Sequence, residues 1–184
     1  DKALSSNAGF AKAHTNRGNV LRDLQRYDEA LASYDRAIDL DPEFADALYY
    51  KALLLLLLGR FEEGWRLHEW RWKADQFKGR VRHFTQPLWL GAEPLSGKTL
   101  LLYGEQGSGD IIQFVRYAPL VEALGAKVIL EVPPPLVSLF HTLPGNFSLV
   151  SAGSRLPQFD VHCPLMSLPL ALGTTLETIP APAR

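Results

Sequence analysis

A period of 34 residues runs through the first part of the chain and limits what that part can fold into. Sliding the sequence by this length sets Ala11 on Ala45, Ala13 on Ala47, Gly18 on Ala52, Leu21 on Leu55, Tyr27 on Phe61, Ala30 on Gly64 and Tyr34 on His68. Small residues fall on small ones, and bulky residues mostly on bulky ones. Within "AKAHTNRGNVLRDLQRYDEALASYDRAIDLDPEF" the small positions suit two closely packed helices, with Leu21, Tyr27, Tyr34 and Ile38 as bulk between them. "LDP" at Leu40–Pro42 closes the second helix, because the residue before a proline is driven out of the helical region.

These features resemble the tetratricopeptide repeat over Ala11 to Trp72, with copies at 11–44 and 45–76 inside a repeat region of 1–76. The small positions, the aromatic after the inter-helix turn, "DEA" at Asp28–Ala30 and the closing "DP" all agree in the first copy. The second departs: Gly64 replaces the usual alanine, and "GWRLHEWRW" loads Trp65, Trp70 and Trp72 onto its last helix, which reads as a junction or cap. Such repeats bury their apolar faces only by stacking, and about three are needed for stability. Two are too few, so further repeats are expected ahead of these, with residues 1–9 as the remnant of a preceding helix, and the tryptophan-rich helix is expected to dock onto the chain beyond it. The resemblance implies a protein or peptide partner, held in a groove lined by the first helix of each repeat. By position the lining is Lys12, Thr15, Asn16, Asn19, Arg22 and Asp23, then Asp46, Tyr49, Tyr50 and Leu53. The Asn16 amide can both donate to and accept from a peptide backbone.

Residues 77–94 read as a linker. The helical period is lost from Lys73 on, and Lys73, Lys78, Arg80 and Arg82 have only Asp75 nearby among acids. "GAEPLSGKT" (Gly91–Thr99) imitates a nucleotide-binding loop, but five residues rather than four separate its glycines, and the Gly-Lys pair precedes a strand instead of opening a helix. A nucleoside triphosphatase is rejected on both grounds. The net charge of −1 provides no field for nucleic acid, and "LLLLLL" (Leu53–Leu58) is far below the ~20 residues of a membrane span. One cysteine, Cys163, permits no intrachain disulfide, which fits a cytoplasmic protein. His83, His141 and His162 lack metal-ligand spacing, so no metal site is expected.

Residues 95–184 alternate strands and helices. "TLLLY" is a strand, "DIIQFVRYAPLVEAL" a helix bent at Pro119, and "AKVILEV" a second strand, which together make a right-handed crossover and a parallel sheet. A short helix over Leu136–Leu143, strands at "FSLVSAG" and "FDVHCP", and a last helix at "PLMSLPLALG" come after it. The fold class is therefore α-helical repeat hairpins followed by a Rossmann-like parallel α/β half-domain, with four strands of a sheet that is normally larger. In "GEQGSGD", the turn after the first strand, Ile112 takes the place of the third dinucleotide-binding glycine, and Asp110 at the helix start repels a pyrophosphate. An NAD- or flavin-type cofactor is disfavoured, and the plain alternative is that Asp110 is an N-cap.

"GSGDIIQFVRYAPLV" resembles the first strand-turn-helix of heptosyltransferase-like glycosyltransferases of the GT-B fold, with Gly109, Asp110 and Pro119 matching. "FTQPLWLG", "EQGSGDIIQFVRYAPL" and "CPLMSLPLALGTTLETIP" together resemble bacterial proteins that fuse tetratricopeptide repeats to such a half. The resemblance implies that Asp110 is the general base on an acceptor sugar hydroxyl. It implies further that Gln106, Gly107, Ser108, Gly109, Gln113 and Arg116 contact the acceptor. A nucleotide-sugar donor would bind mainly to a second half beyond Arg184, so it is expected only for a full-length protein, and this stretch alone would be inactive. The competing reading is a non-catalytic interaction module with a degenerate α/β cap.

Overall fold

The computed structural model describes residues 2–181, with side chains from Gly9 onward. The chain divides into two compact units, 1–82 and 83–184.

In the first unit α1 (Lys2–Asp23), α2 (Tyr27–Leu40), α3 (Ala45–Leu57) and α4 (Phe61–His68) form two hairpins, followed by 3-10 turns at Glu69–Trp72 and Asp75–Phe77. The helices follow the apolar spacing. Leu21, Ala30, Tyr34 and Leu54 form one buried cluster, and Ala11, Ala37 and Ala47 another, where the alanines let the helices approach closely. The two inter-helix turns share one geometry: Gln25 and Gly59, 34 residues apart, both take positive φ (59° and 77°). Arg26 N–H then donates to Leu21 O, and Arg60 N–H to Leu55 O, each at 2.8 Å. Residues 2–9, expected as a separate remnant, instead continue α1 without a turn. Asn7–Gly9 lacks the proline that stands at Pro42 after α2.

The expected tryptophan-rich last helix breaks at His68. Arg71, wholly buried, sends Nη1 to Glu69 Oε1 (2.6 Å) and to His68 O (3.3 Å), and its guanidinium lies 4.4 Å from the Trp72 ring. Beyond it Ala74 and Phe77 are buried against Tyr49, with Ala45, Tyr50 and Leu53 packed around them. Burial, and secondarily the Arg71 cation, push the His68 pKa down to about 3. Since the unfolded imidazole titrates near 6.5, the unfolded chain binds the proton more tightly, and stability present above that pH is lost as pH falls toward about 3. The slope reaches at most about 1.4 kcal/mol per pH unit. Urea midpoints of the helical unit measured between pH 7 and 4 are expected to fall accordingly, and His68→Gln to flatten the fall; an unchanged slope in the variant would show that His68 is not its source.

The second unit is a four-stranded parallel sheet of order β3-β2-β1-β4, with β1 (Thr99–Tyr103), β2 (Lys127–Val132), β3 (Phe147–Ser151) and β4 (Val161–Pro164). Leu88 bridges in parallel to His162. Between β1 and β2 the expected single helix divides into α5 (Ser108–Phe114), a 3-10 turn at Val115–Tyr117 and α6 (Ala118–Ala123). Pro119 lies in the first turn of α6, where its missing N–H costs nothing, so the ladder breaks just ahead of it. Two four-residue helices, α7 (Val137–Phe140) and α8 (Leu168–Ala171), come after β2 and β4. Leu100, Leu102, Val128 and Leu130 are buried in the strands, while Leu101, Tyr103 and Ile129 meet Phe84, Leu156 and Phe159 on the other face.

Gly91 fixes the entry to this unit. Its φ is +94°, and a Cβ there would overlap the backbone carbonyl of Ala171, which has no freedom to withdraw. Gly91→Ala is expected to lower the stability of the α/β unit by about 1–3 kcal/mol, read from the chemical unfolding of that unit. A loss below a few tenths of a kcal/mol would contradict the close approach.

Candidate functional site

Strand β1 leads through β2 to β3 on one side, while β4 flanks it on the other, so the order reverses at β1. A doubly wound sheet opens a crevice at such a reversal, outside the carboxyl ends of the strands. The Gly107–Asp110 turn leaves the carboxyl end of β1 there, and α5 packs beside the Leu165–Ser167 turn that succeeds β4. Asp110 is not the N-cap. Gly107 occupies that place, and Asp110, three residues on, reaches back so that its Oδ2 accepts the Gly107 N–H at 3.1 Å. The second carboxylate oxygen makes no hydrogen bond among the described residues.

The remaining turn residues differ in what they offer. Gly107, Ser108, Gly109 and Gln113 are exposed, and Gln106 and Asp110 are half-buried. The Gln106 amide nitrogen is buried without a hydrogen bond among the described residues. Arg116 is turned to its own backbone, donating from Nε to Gln113 O (2.7 Å) and from Nη1 to Pro180 O (3.4 Å). His162 is buried, its ring 4.7 Å from that of Phe84 and its Nδ1 3.4 Å from the Tyr103 hydroxyl.

In the repeat unit, the residues placed on the groove by position separate into three sets. Lys12, Asn16 and Asp23 are exposed. Arg22 is half-buried, paired with Asp23 at 2.9 Å, with its guanidinium 5.9 Å from the half-buried Tyr50 ring. Thr15 and Tyr49 present no surface: Thr15 is 2% exposed and donates to Ala11 O at 2.9 Å, and Tyr49 is 5% exposed with its ring edge-on to Phe77 at 5.4 Å. Asp46 accepts the Asp75 N–H at 2.9 Å, and Leu53 joins the Tyr49–Phe77 cluster. Asn19 Oδ1 accepts from the Tyr34 hydroxyl at 2.8 Å, and burial pushes that phenol up to about 12, so it stays a donor at any ordinary pH.

Thr15 and Tyr49 hold the same repeat position, and both are buried; Tyr49 is covered by Ala74 and Phe77, which succeed its repeat. The groove expected from position alone is therefore shortened at its second copy by the chain's own Ala74–Phe77. That cover leaves no periodic trace in the sequence, where an alanine and a phenylalanine stand among five charged residues. The signal available was Phe77 itself, a large apolar side chain with no reason to sit in a solvated linker.

Comparison with known proteins agrees with the helical half. The TPR repeat family model matches residues 18–59, from within α1 to the turn after α3. Protein FlbA of Caulobacter vibrioides (strain ATCC 19089 / CIP 103742 / CB 15) is 35% identical over 129 residues, which is 68% of this chain and 22% of that protein. The chain thus spans about a fifth of the relative it matches. It is a tetratricopeptide repeat chain whose hairpins are followed by a four-stranded parallel α/β sheet. No helix among the described residues is long and apolar enough to cross a membrane.

Proposed function

We propose that the repeats hold a protein or peptide partner, and that the α/β unit contributes the acceptor side of a sugar-transfer site in a longer cytoplasmic polypeptide. The observation that carries the second half is the Asp110 carboxylate. It stands at the carboxyl end of β1 beside the reversal of strand order, with one oxygen fixed by Gly107 N–H and the other available. A carboxylate held in this way is suited to take the proton from an acceptor hydroxyl as that oxygen attacks the anomeric carbon of a nucleotide-sugar, whose bond from that carbon to the phosphate oxygen breaks so that the nucleotide leaves with the electron pair. Exposed Ser108 and Gln113 and half-buried Gln106 line the approach as contacts for neighbouring hydroxyls. For the repeats, Lys12, Asn16 and Asp23 form the exposed part of the groove and the place where an extended peptide is bound.

A second reading draws on the same hydrogen bond. If the Asp110–Gly107 contact is only a helix cap, the α/β unit is a closed appendage and the repeats act alone as an interaction module. Thermal melts of the longer polypeptide against a panel of nucleotide-sugars separate the two. A donor at about 100 times its dissociation constant is expected to stabilise by roughly 2.7 kcal/mol. Melts unmoved by every donor would favour the interaction module.

A further inference from the structure

The sheet of the α/β unit has one guarded edge and one open edge. Beside β4 the chain runs along Pro87–Trp89: His162 N–H donates to Pro87 O at 3.1 Å, and Trp89 N–H to His162 O at 2.8 Å. Strand β3 ends the sheet on the other side, and no unpaired strand among the described residues covers it. Its backbone polar groups divide by parity. Ala152 N–H donates to Val132 O at 2.8 Å, so Ser148 and Val150 also face β2, while Phe147, Leu149 and Ser151 turn their N–H groups and carbonyls outward. Natural sheets guard such an edge with lysine, proline or a bulge. Here neither residue stands in the strand. Although 21% of the chain is charged, no Asp, Glu, Lys or Arg lies between Glu131 and Arg155, a stretch that holds both β3 and α7, the helix packed on it. Leu139 of α7 is 49% exposed, and Leu149 and Val150 of the strand are half-buried.

We propose that β3 pairs antiparallel with β3 of a second copy of this chain, across a two-fold axis at Leu149, joining two four-stranded sheets into one. The parity selects that occupant. Phe147, Leu149 and Ser151 are symmetric about Leu149, so a two-fold there sets Leu149 against Leu149 and Phe147 against Ser151, and every outward N–H meets an outward carbonyl. Ser151 O already accepts the Ser154 N–H at 3.0 Å, and a carbonyl has a second lone pair to offer. Ser148 then stands across from Val150. An uncharged surface repeated on both sides of an axis brings no like charges together, and depletion of charge marks the centre of an interface. The exposed Leu139 of each α7 adds apolar area beside the joint. β2 separates β3 from the reversal of strand order at β1, so the pairing leaves the Asp110 turn accessible. It holds whether or not the α/β unit transfers sugar.

Sedimentation of this chain over rising concentration reads the pairing. A monomer–dimer equilibrium is expected, with amide exchange at Phe147, Leu149 and Ser151 slowing as the dimer fills. Ser148 is exposed and its N–H faces β2, so Ser148→Lys should leave the melting midpoint within about 1 °C. In the dimer it places two lysines diagonally across the axis and should weaken pairing by about tenfold or more. Ser148→Glu should do the same, and an equal mixture of the two variants should recover the dimer as a mixed pair. A chain that stays monomeric at about 1 mM overturns the proposal. So does a dimer that Ser148→Lys leaves intact, since its interface then lies elsewhere, and so does a mixture no more associated than either variant alone. A longer polypeptide that is monomeric where this chain dimerises would show the edge covered by a further strand of its own, and would overturn the second copy as its occupant.

Discussion

Asp110→Asn in the longer polypeptide is expected to lower sugar transfer by about 10²- to 10⁴-fold while leaving the melting midpoint nearly unchanged. The amide keeps the shape of the carboxylate and an oxygen that can still accept the Gly107 N–H, so the start of α5 stays capped. Only the capacity to take a proton is lost. Asp110→Ala removes both functions and should in addition cost about 0.5–2 kcal/mol of stability in the α/β unit. The pair of variants therefore separates base from cap. Turnover unchanged in the asparagine variant, with stability lost in the alanine one, would make Asp110 a structural residue and leave sugar transfer without its proton acceptor.

Arg71→Ala is expected to cost the helical unit about 3–5 kcal/mol, a large share of what a unit of this size possesses. Arg71 is fully buried, and its guanidinium holds Glu69 at 2.6 Å, meets the His68 carbonyl and lies over Trp72. Truncation leaves the Glu69 carboxylate, itself largely covered, facing a hole where its counter-charge stood. Arg71→Met with Glu69→Gln removes the charges and keeps the volume, and should recover much of the loss. Tryptophan fluorescence reads this directly, because Trp65, Trp70 and Trp72 lie in the helical unit and Trp89 in the other. A loss below about 1 kcal/mol in the alanine variant would show that the pair contributes only what an exposed ion pair does.

The parts of the fold visible in the sequence are those with a period. Matched small residues at 34-residue spacing announced the hairpins, and alternating apolar runs with Gly125 after a helix announced the crossover between β1 and β2. What stayed hidden depends on contacts that leave no period. Ala74 and Phe77 cap the repeats through two side chains, and α4 ends early because Arg71 is drawn inward to Glu69 and the His68 carbonyl. The candidate site shows the same division. The Gly-Asp pair could be placed after a strand from sequence alone, but that Asp110 reaches back to Gly107 rather than capping by itself is a matter of turn geometry. Position puts Thr15 and Tyr49 on the groove, but it does not reveal that both side chains are buried, Tyr49 under Ala74 and Phe77.

The parallel sheet also sets an order of events in time. Thr99 N–H donates to the Asp160 carboxylate at 2.7 Å across 61 residues of chain, and β4 then pairs with β1 along its length. In the helical unit the main packing is between successive helices, α1 with α2 and α3 with α4. Local contacts close quickly and distant ones slowly, so the hairpins form first, and β1 waits with one side unpaired until β4 has been made. During synthesis that interval leaves the edge of β1 open to pairing with other strands, so of the two units the α/β one is the more exposed to misassembly.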